Sequence, residues 1–483
     1  MLRRDFLSTL PFAAAPIVRP PSPNILYILA DDLGWGDLGC YNADSKIPTP
    51  NLDRLAGQGV RFTDMHSPSA VCTPTRYGIM TGRYCWRSEL KKGVLQGYSP
   101  NLIERGRPTV ASLLKGRGYA TGAFGKWHLG LGDRPKTDYL QALHPCPTDH
   151  GFDTFYGIPA SLDMPPYVWV ENDHVVKAPS AETAGDVGFG GSRGRFYRGG
   201  ATAPGFEVED VLPTITGKAE QFLKAQTAAK PFFLYLPLTA PHTPWAPLAA
   251  YKGRSKAALY GDFVTQVDES VGRVLKTLEE TRLAANTLVC FTSDNGAYWH
   301  QVDIDETGHR ANAAWRGMKA DVYEGGHRIP FIARWPGRIK AGTQSAQLGC
   351  LTDLAATAAE LTGQVLPRDA AEDSFSLVPA LLGPGGPGRT ALRDAIVHHS
   401  SQGMFAIRQG PWKLALGRGS GGFTKPVTID VKPGEPAGEL YHLGDDPGET
   451  RNQWAEKPGV VASLTELLET YQREGRSRPA LNR

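Results

Sequence analysis

The sequence predicts an α/β protein in which a large, mostly parallel sheet is sandwiched by helices and followed by a small C-terminal antiparallel sheet with one helix. The first observation is a set of short apolar runs at 24–30, 231–238, 287–293 and 329–335. These runs do not alternate with polar residues, which is typical of parallel strands buried on both faces. The second observation is that helical patterns lie between the runs, as they do in α/β folds.

Two of the predicted strands end in polar residues. NILYILADDLG ends its apolar run at Asp31 and Asp32, and TLVCFTSDNG ends its run at Asp294 and Asn295. The clearest helix is predicted over 260–281, because apolar side chains recur there on one face. These apolar residues are Phe263, Val267, Val271, Val274 and Leu278.

The Gly/Pro-rich LLGPGGPGRT at 381–390 marks a change in organisation. Beyond it, AIVHH, FAIRQGPWKLAL and ELYHLGDD are short strand-like runs separated by turn residues, and an amphipathic helix is predicted at about 459–474. We therefore predict an export signal and junction over 1–23, a main α/β domain over 24–385 and a C-terminal α+β subdomain over 386–483.

The composition excludes several classes of protein. The 483 residues are 41% hydrophobic and 21% charged, which is ordinary for a soluble globular protein. A formal net charge of +3 is too small to indicate a nucleic-acid partner. No stretch approaches the roughly 20 apolar residues that span a bilayer, so no stable membrane anchor is expected.

The first residues, MLRRDFLSTLPFAAAP, are typical of a twin-arginine export signal. Arg3 and Arg4 precede a mild apolar run that ends in small residues, so we expect a periplasmic or secreted protein. The alternative is a disordered basic terminus. The six cysteines have no zinc-site spacing, and in an exported protein some of them could pair.

Residues 71–84, VCTPTRYGIMTGRY, carry a cysteine in an unusual setting. If a helix opens near Thr73, Pro74 occupies its first turn and Arg76 lies one turn above Cys72. The start of a helix favours negative charge, so this stretch indicates an anion site. Cys72 could be a nucleophilic thiol, half of a disulfide or a substrate for modification.

The polar strand ends suit a metal ion. Asp31, Asp32, Asp294 and Asn295 form an all-oxygen set, which favours Ca²⁺ or Mg²⁺ over zinc. The alternative is that each pair only caps a helix or forms a turn. Ligands in open α/β sheets bind at the carboxyl ends of the strands, which supports the metal interpretation.

Basic residues occur in stiff, Gly- or Pro-bounded contexts. GKWHLG contains Lys126 and His128, which in an extended segment lie on one side. APHTPW places His242 between two prolines, and RGMK supplies Lys319. Taken singly, Lys126 and Lys319 are equally typical of solvated lysines. His128 and His242 are equally typical of hydrogen-bonded structural histidines.

Cys72-Thr73-Pro74-Thr75-Arg76, followed by Thr81-Gly82-Arg83, resembles the signature of type I, formylglycine-dependent sulfatases of the arylsulfatase type. The resemblance runs from Asp31-Asp32 through GKWHLG, APHTP, SDNG and RGMK to GPWKL and ELYHLGDDPGE, in the family's order. It implies the fold of the alkaline phosphatase superfamily and a formylglycine made from Cys72 by a maturation enzyme.

The resemblance also implies the roles of single residues. One divalent cation, usually calcium with magnesium as the alternative, is bound by modified Cys72, Asp31, Asp32, Asp294 and Asn295. Arg76 and Lys126 hold the formylglycine and the sulfate, His128 contacts the aldehyde hydrate, and His242 and Lys319 meet the sulfate and its bridging oxygen. One hydroxyl of the hydrate attacks sulfur, and loss of the proton from the other re-forms the aldehyde.

The expected function is hydrolysis of sulfate monoesters of carbohydrates, with aryl sulfates as surrogates. The alternatives are a phosphate or phosphonate ester hydrolase, a non-catalytic binder of sulfated glycans, and a cysteine hydrolase with a free Cys72 thiolate. Specificity is expected from the C-terminal subdomain, from His300–Arg310, and from 160–210, where Tyr167, Trp169, Arg193, Arg195 and Arg198 suit sugars and anions but equally suit loop packing.

Overall fold

The computed structural model describes residues 22–133, 135–186, 194–383 and 391–479. Residues 1–21 of the predicted export signal, Arg193 and the predicted boundary between residues 385 and 386 lie outside these ranges. The positions at which the main domain and the C-terminal subdomain meet in sequence therefore stay a prediction.

The described part of the chain contains eighteen strands. In chain order the strands are β1 (Asn24–Asp31), β2 (Val60–Phe62), β3 (Met65–His66), β4 (Ala120–Lys126), β5 (Thr154–Ile158), β6 (Val170–Glu171), β7 (His174–Val175), β8 (Ala181–Asp186), β9 (Tyr197–Thr202), β10 (Phe232–Pro241), β11 (Thr287–Ser293), β12 (Phe331–Arg334), β13 (Thr343–Ser345), β14 (Gly349–Cys350), β15 (Ala395–His399), β16 (Phe405–Gln409), β17 (Trp412–Ala415) and β18 (Glu439–His442).

The described α-helices vary from one turn to six. They are α1 (Pro50–Gly57), α2 (Cys72–Thr81), α3 (Val110–Lys115), α4 (Val211–Lys224), α5 (Ala258–Glu280), α6 (Gln301–Thr307), α7 (Glu324–His327), α8 (Leu354–Leu361), α9 (Val378–Leu382) and α10 (Pro458–Glu474). Over the ranges given above, no helix has both the length and the apolar character needed to cross a lipid bilayer.

Ten strands form the central sheet, in the order β13-β2-β12-β11-β1-β10-β4-β5-β6-β7. The run from β11 to β5 is parallel, whereas β12 and the β6–β7 edge are antiparallel to their inner neighbours. Ala30 of β1 pairs with Ser293 of β11. The carboxyl ends of these two strands therefore lie side by side, at the edge where parallel sheets bind ligands.

Both faces of the sheet are covered, as the continuous apolar runs predict. All eight residues of β1 are buried. Ile25, Tyr27 and Leu29 enter one core with side chains of α2, α3 and α8, and Leu26 and Ile28 enter the other core with side chains of α1, α4 and α5. The alternation places helices on both sides of a single sheet.

A second sheet lies near the C-terminus. Strands β15 to β18 are antiparallel in sequence order, and Leu464 and Leu468 of α10 pack on them. Tyr84 and Trp86, which follow α2, belong to the same apolar core. The predicted fold class is confirmed: a large, mostly parallel sheet with helices and a small C-terminal antiparallel sheet with one helix.

All six cysteines lie in the described ranges, and all six are free thiols. Cys40 is partly buried and the other five are buried. The structure therefore contains no disulfide, and the pairing considered from the sequence does not occur in it.

Candidate active site

Helix α2 begins at Cys72, and all ten of its residues are buried. Val71 precedes the helix in an extended conformation, and no side chain caps the first amides. Pro74 lies in the first turn and Arg76 one turn after Cys72, as the sequence predicts. Because the first amides of a helix lack intrahelical partners, this end of α2 favours a negatively charged group.

The thiol of Cys72 is 2% exposed, and its Sγ lies 3.7 Å from Oδ1 of Asp31. Burial raises the pKa of this thiol far above its ordinary value, against the lowering effect of Lys126 and Lys319. Burial therefore favours the neutral thiol over the thiolate that a cysteine hydrolase needs.

The two polar strand ends converge. The N–H of Asp32 donates to Oδ1 of Asp294 (3.2 Å), and Nδ2 of Asn295 donates to Oδ1 of Asp32 (2.7 Å). Asp32 has a φ of 66°, a left-handed conformation that aspartate tolerates better than most residues. The four residues predicted as metal ligands, including Asp31, are thus brought together at one end of β1 and β11.

Each of the three buried carboxylates is paired with a different basic side chain. Nζ of Lys126 lies 2.7 Å from Asp31, and Nζ of Lys319 lies 2.7 Å from Asp32. Nη2 of Arg76 lies 2.8 Å from Asp294. All of these side chains are buried, and buried charges persist in proteins when they are paired in this way.

The pKa values of the carboxyl groups respond to burial and to their neighbours. Burial opposes ionisation of Asp31, but Lys126, His242 and Arg76 outweigh it and lower the pKa of that group. Burial raises the pKa of Asp294, and repulsion from Asp31 raises it further, against the effect of Arg76. A further positive charge near both carboxylates would favour their ionised forms.

The donor atoms fit a hard divalent cation. Oδ1 of Asn295 is fully buried and has no hydrogen-bond partner in the described part of the chain. Asp31, Asp32, Cys72 and His242 can each direct one atom into a region in which these atoms lie within 4.8 Å of one another. Carboxylate and amide oxygens are the ligands that Ca²⁺ and Mg²⁺ prefer, so these residues could hold such an ion.

His128 lines the same cavity as Cys72, but the backbone that leads to it is not extended as expected. Strand β4 ends at Lys126, and His128 has a φ of 56°, so GKWHLG is not extended through His128 as predicted. Its Nε2 lies 2.8 Å from the carbonyl oxygen of Leu95, and its buried Nδ1 has no partner in the described ranges. Burial, reinforced by Lys126, lowers the pKa of His128, so the ring is neutral and Nδ1 is a free acceptor.

His242 follows β10 and also faces the carboxylates. Its Nδ1 lies 2.6 Å from the carbonyl oxygen of Thr243, so Nδ1 carries the proton. Nε2 lies 3.6 Å from Oδ2 of Asp32 and 3.2 Å from Oγ of Ser161. Ser161 also accepts a hydrogen bond from Lys126 (3.1 Å). Sequence reasoning missed Ser161 because no motif surrounds it.

A cavity of about 690 Å³ opens above these groups. It is lined by the predicted residues Cys72, Asp32, His128, His242 and Lys319, together with side chains of the main domain and the C-terminal subdomain. Arg76, Lys126, Asp31, Asp294 and Asn295 form its buried floor. We call it the active-site cavity below.

The residues considered for specificity divide into two groups. Arg198 lines the active-site cavity, where it forms an ion pair with Asp163. Tyr167 and Arg195 instead line a neighbouring cavity of about 860 Å³, and Trp169 packs in a hydrophobic cluster. The segment His300–Arg310 forms α6 and adjoining turns, and the described lining of the active-site cavity includes none of it.

The chain is similar to known proteins over most of its length. The family model described as Sulfatase matches residues 23–364. The N-acetylgalactosamine-6-O-sulfatase of Bacteroides thetaiotaomicron is 37% identical over 485 residues, covering 93% of this chain and 93% of that protein. Human arylsulfatase A is 34% identical, and the match covers 95% of this chain and 88% of that protein.

Solved structures agree with these matches. A structure described with the metabolism of multiple glycosaminoglycans by Bacteroides thetaiotaomicron has a TM-score of 0.83 at 34% identity, covering 94% of this chain and 100% of that chain. A sulfatase from Pseudoalteromonas has a TM-score of 0.71 at 26% identity, covering 95% and 92%. The resemblance inferred from the sequence is confirmed: the chain belongs to the sulfatase family and is a sulfuric ester hydrolase with the alkaline phosphatase-like fold.

Proposed function

We propose that the protein hydrolyses sulfate monoesters of carbohydrates at the active-site cavity, through a formylglycine derived from Cys72. The observation that carries the proposal is the position of Cys72, at the uncapped start of α2 and in the lining of a cavity that is also lined by Lys319, His128 and His242. Five of the similar proteins are named N-acetylgalactosamine-6-sulfatases or the 6-O form, so N-acetylgalactosamine 6-sulfate is the first substrate to test.

The modified residue and the cation supply the nucleophile and polarise the sulfate when they are present. We assign Asp31, Asp32, Asp294 and Asn295 to the cation, with calcium preferred and magnesium as the alternative. The support is the all-oxygen donor set and the unpartnered Oδ1 of Asn295. Residue 72 is the fifth member of this set.

The basic residues offset the charge of the transferring sulfate. Lys126 and Lys319 each hold one carboxylate at 2.7 Å and keep further N–H bonds for an anion. Arg76 fixes residue 72 from one turn away and gives its three bonds to Asp294 and the Lys126 carbonyl. Positive charge fixed before the reaction stabilises the transition state without reorganisation.

The two histidines take different proton-transfer roles. Neutral His128 accepts a proton at Nδ1 from a hydroxyl at residue 72, because its Nε2–H is bound to Leu95. His242 donates a proton from Nε2 to the leaving alcohol, a step that requires the imidazolium form, in which both ring nitrogens carry a proton and Nδ1–H stays bound to the carbonyl oxygen of Thr243. Proton transfer of this kind contributes on the order of 10²–10⁴-fold to the rate.

The same proposal includes export and maturation. The Arg3-Arg4 signal is expected to send the protein through the twin-arginine route to the periplasm or the medium. That route carries folded proteins, so a maturation enzyme would convert Cys72 before export. The domain bounds of 24–385 and 386–483 remain part of this proposal.

The test combines mass spectrometry with product analysis. Trypsin releases residues 62–76 as one peptide, and in enzyme from a host with a maturation system this peptide should carry CHO in place of CH₂SH at residue 72. Sulfate should be released from N-acetylgalactosamine 6-sulfate, and Cys72→Ala should abolish release. Cys290→Ala, which changes another buried thiol, is the matched control.

Two outcomes would contradict the proposal. Full activity of protein that contains only unmodified Cys72 would overturn the formylglycine assignment. A kcat/KM for 4-nitrophenyl phosphate above that for 4-nitrophenyl sulfate would favour the phosphate-ester alternative, whereas we expect the sulfate to lead by at least about tenfold, or about 1.4 kcal/mol.

A further inference from the structure

The turn over 318–322 joins the catalytic residues to the C-terminal subdomain. Lys319 lies on this turn and reaches Asp32 with its Nζ. The N–H of Ala320 donates to the carbonyl oxygen of Ala70, two residues before Cys72 (2.7 Å). The carbonyl oxygen of Ala320 accepts from Ser401, which belongs to the C-terminal subdomain (2.9 Å). The turn is therefore held from both sides.

The buried carboxylate of Asp321 extends this link to a second C-terminal segment. Its Oδ1 accepts the N–H groups of Phe423 (2.7 Å) and Thr424 (3.0 Å). Its Oδ2 accepts the N–H of Met318 (2.9 Å) and the hydroxyl of Thr424. Gly422 is required here, because a Cβ would overlap Oδ1 of Asp321 and the backbone of Ala320.

The side chain of Phe423 is exposed although its backbone is fixed. Phe423 is 47% exposed as a residue, and its ring packs edge-on against Tyr298 at a centroid separation of 5.6 Å. Both rings line the active-site cavity that contains Cys72 and Lys319. An exposed aromatic side chain at the mouth of a pocket, held by buried polar bonds, is typical of a ligand-binding surface.

We propose that Phe423, backed by Tyr298, forms the wall against which the ring of the sulfated substrate packs, and that Asp321 positions this wall relative to Lys319. The inference rests on the proposed function, because it requires a substrate in which the sulfate is attached to a molecule that contains a ring. The apolar C–H face of a hexose or the face of an aryl group packs on an aromatic edge or face. We expect inorganic sulfate to bind beside Lys319 at the floor of the cavity without reaching this wall.

The wall is tested with the matured, full-length enzyme and the variant Phe423→Ala. KM for N-acetylgalactosamine 6-sulfate should rise about 5- to 20-fold with kcat changed less than about threefold, because one aromatic contact is lost. The inhibition constant of inorganic sulfate should stay within about twofold of the wild-type value. Phe423→Tyr, which keeps the aromatic face, should restore KM.

The positioning role of Asp321 is tested with Asp321→Asn. Asparagine keeps only one acceptor oxygen, so either the N–H of Met318 or those of Phe423 and Thr424 lose their acceptor, and KM should rise while kcat falls. In the double variant with Phe423→Ala, KM should rise little beyond that of Asp321→Asn alone, because both changes act on one wall. Thermal melting of each variant verifies that it is folded.

The outcomes separate this inference from the proposed function. Wild-type enzyme that cleaves 4-nitrophenyl sulfate but no sulfated hexosamine would overturn the proposed function, and the wall is then judged on KM for the nitrophenyl ester. An unchanged KM for every accepted ester in Phe423→Ala would overturn the wall. A parallel rise in the sulfate inhibition constant would also overturn it, since the floor would then be disturbed. If the two substitutions have fully additive effects on KM, Asp321 does not position the wall formed by Phe423.

Discussion

Arg76 binds Asp294 through two nitrogens of its guanidinium, with Nε at 3.1 Å and Nη2 at 2.8 Å from Oδ2. The third nitrogen, Nη1, donates to the carbonyl oxygen of Lys126 at 2.8 Å. The helix that begins at Cys72 is thereby fixed to the ends of both β11 and β4. One buried side chain sets the position of the reactive residue relative to two strands.

Replacing Arg76 should therefore reduce stability as well as activity. Arg76→Ala leaves Asp294 buried without its partner, and we expect the free energy of unfolding to fall by about 3 to 5 kcal/mol. Urea denaturation of the two proteins measures this difference. Arg254→Ala is the control, because Arg254 forms a half-exposed pair with Glu269 and should cost less than about 1 kcal/mol. Equal losses would show that the buried pair does not stabilise the fold.

Replacing Asp294 should remove the metal ion. Asp294→Asn keeps the volume of the side chain but loses its charge, so metal affinity should fall by at least about tenfold. Elemental analysis after dialysis against a calcium buffer gives the bound amount. Asp268→Asn is the matched control, since Asp268 is a buried carboxylate that accepts N–H bonds from Asn51 and Leu52. Stoichiometric metal in Asp294→Asn would show that the ligand assignment is wrong.

Removing His242 should affect poor leaving groups most. A sugar alkoxide needs a proton as the S–O bond breaks, whereas nitrophenolate leaves with little protonation. His242→Ala should therefore lower kcat/KM for the hexosamine sulfate by about 10²-fold or more. The loss of kcat/KM for 4-nitrophenyl sulfate should be much smaller. Steady-state kinetics on both esters measure the ratio. The proton-donor role is excluded if both esters lose the same factor.

Three histidines form a buried cluster away from the active-site cavity. His327 and His398 stack at a centroid separation of 3.6 Å, and Nδ1 of His66 lies 3.0 Å from Nδ1 of His327. Burial, reinforced by Arg328, lowers the pKa of His66 to about 4, and burial lowers those of His327 and His398 as well. Three acidic and three basic side chains surround the cluster: Asp64, Glu324, Glu449, Lys413, Arg328 and Arg408.

The cluster predicts a loss of stability on acidification. The pKa of histidine in the unfolded chain is about 6.5, so the unfolded state binds more protons below that pH than the folded state does. The stabilisation is complete above about pH 6.5, and the free energy of unfolding should fall by up to about 1.4 kcal/mol per pH unit per histidine towards pH 4. Urea midpoints between pH 7 and 5 provide the measurement. His398→Phe should flatten the decline and the exposed control His174→Asn should not; an identical slope in all three proteins would contradict the prediction.

The sequence predicts the part of the site that lies at the ends of strands. The continuous apolar runs predict parallel, buried strands, and neighbouring parallel strands end at one edge of a sheet. The sequence therefore predicts a site that contains Asp31, Asp32, Asp294 and Asn295. The pairing of Ala30 with Ser293 provides that juxtaposition. The resemblance to sulfatases added the order of the motifs, which spacing alone does not give.

The sequence was uninformative where contacts join distant loops. His66, His327 and His398 belong to β3, α7 and β15, and nothing in their local patterns indicates that they meet. Asp321 and Phe423 are similarly separated, and their contact depends on the docking of the C-terminal subdomain. The left-handed backbone of His128 was also missed, because a non-glycine residue rarely adopts it and no local signal marks it.

The backbone on the N-terminal side of Cys72 is held by segments from much later in the chain. Ala70 donates to the carbonyl oxygen of His399 and accepts from Ala320. During synthesis, both partners leave the ribosome long after Cys72 does, so these two hydrogen bonds can form only when most of the chain has been made. Because Cys72 is buried in the folded protein, the conversion of Cys72 that we propose would have to precede the formation of these bonds.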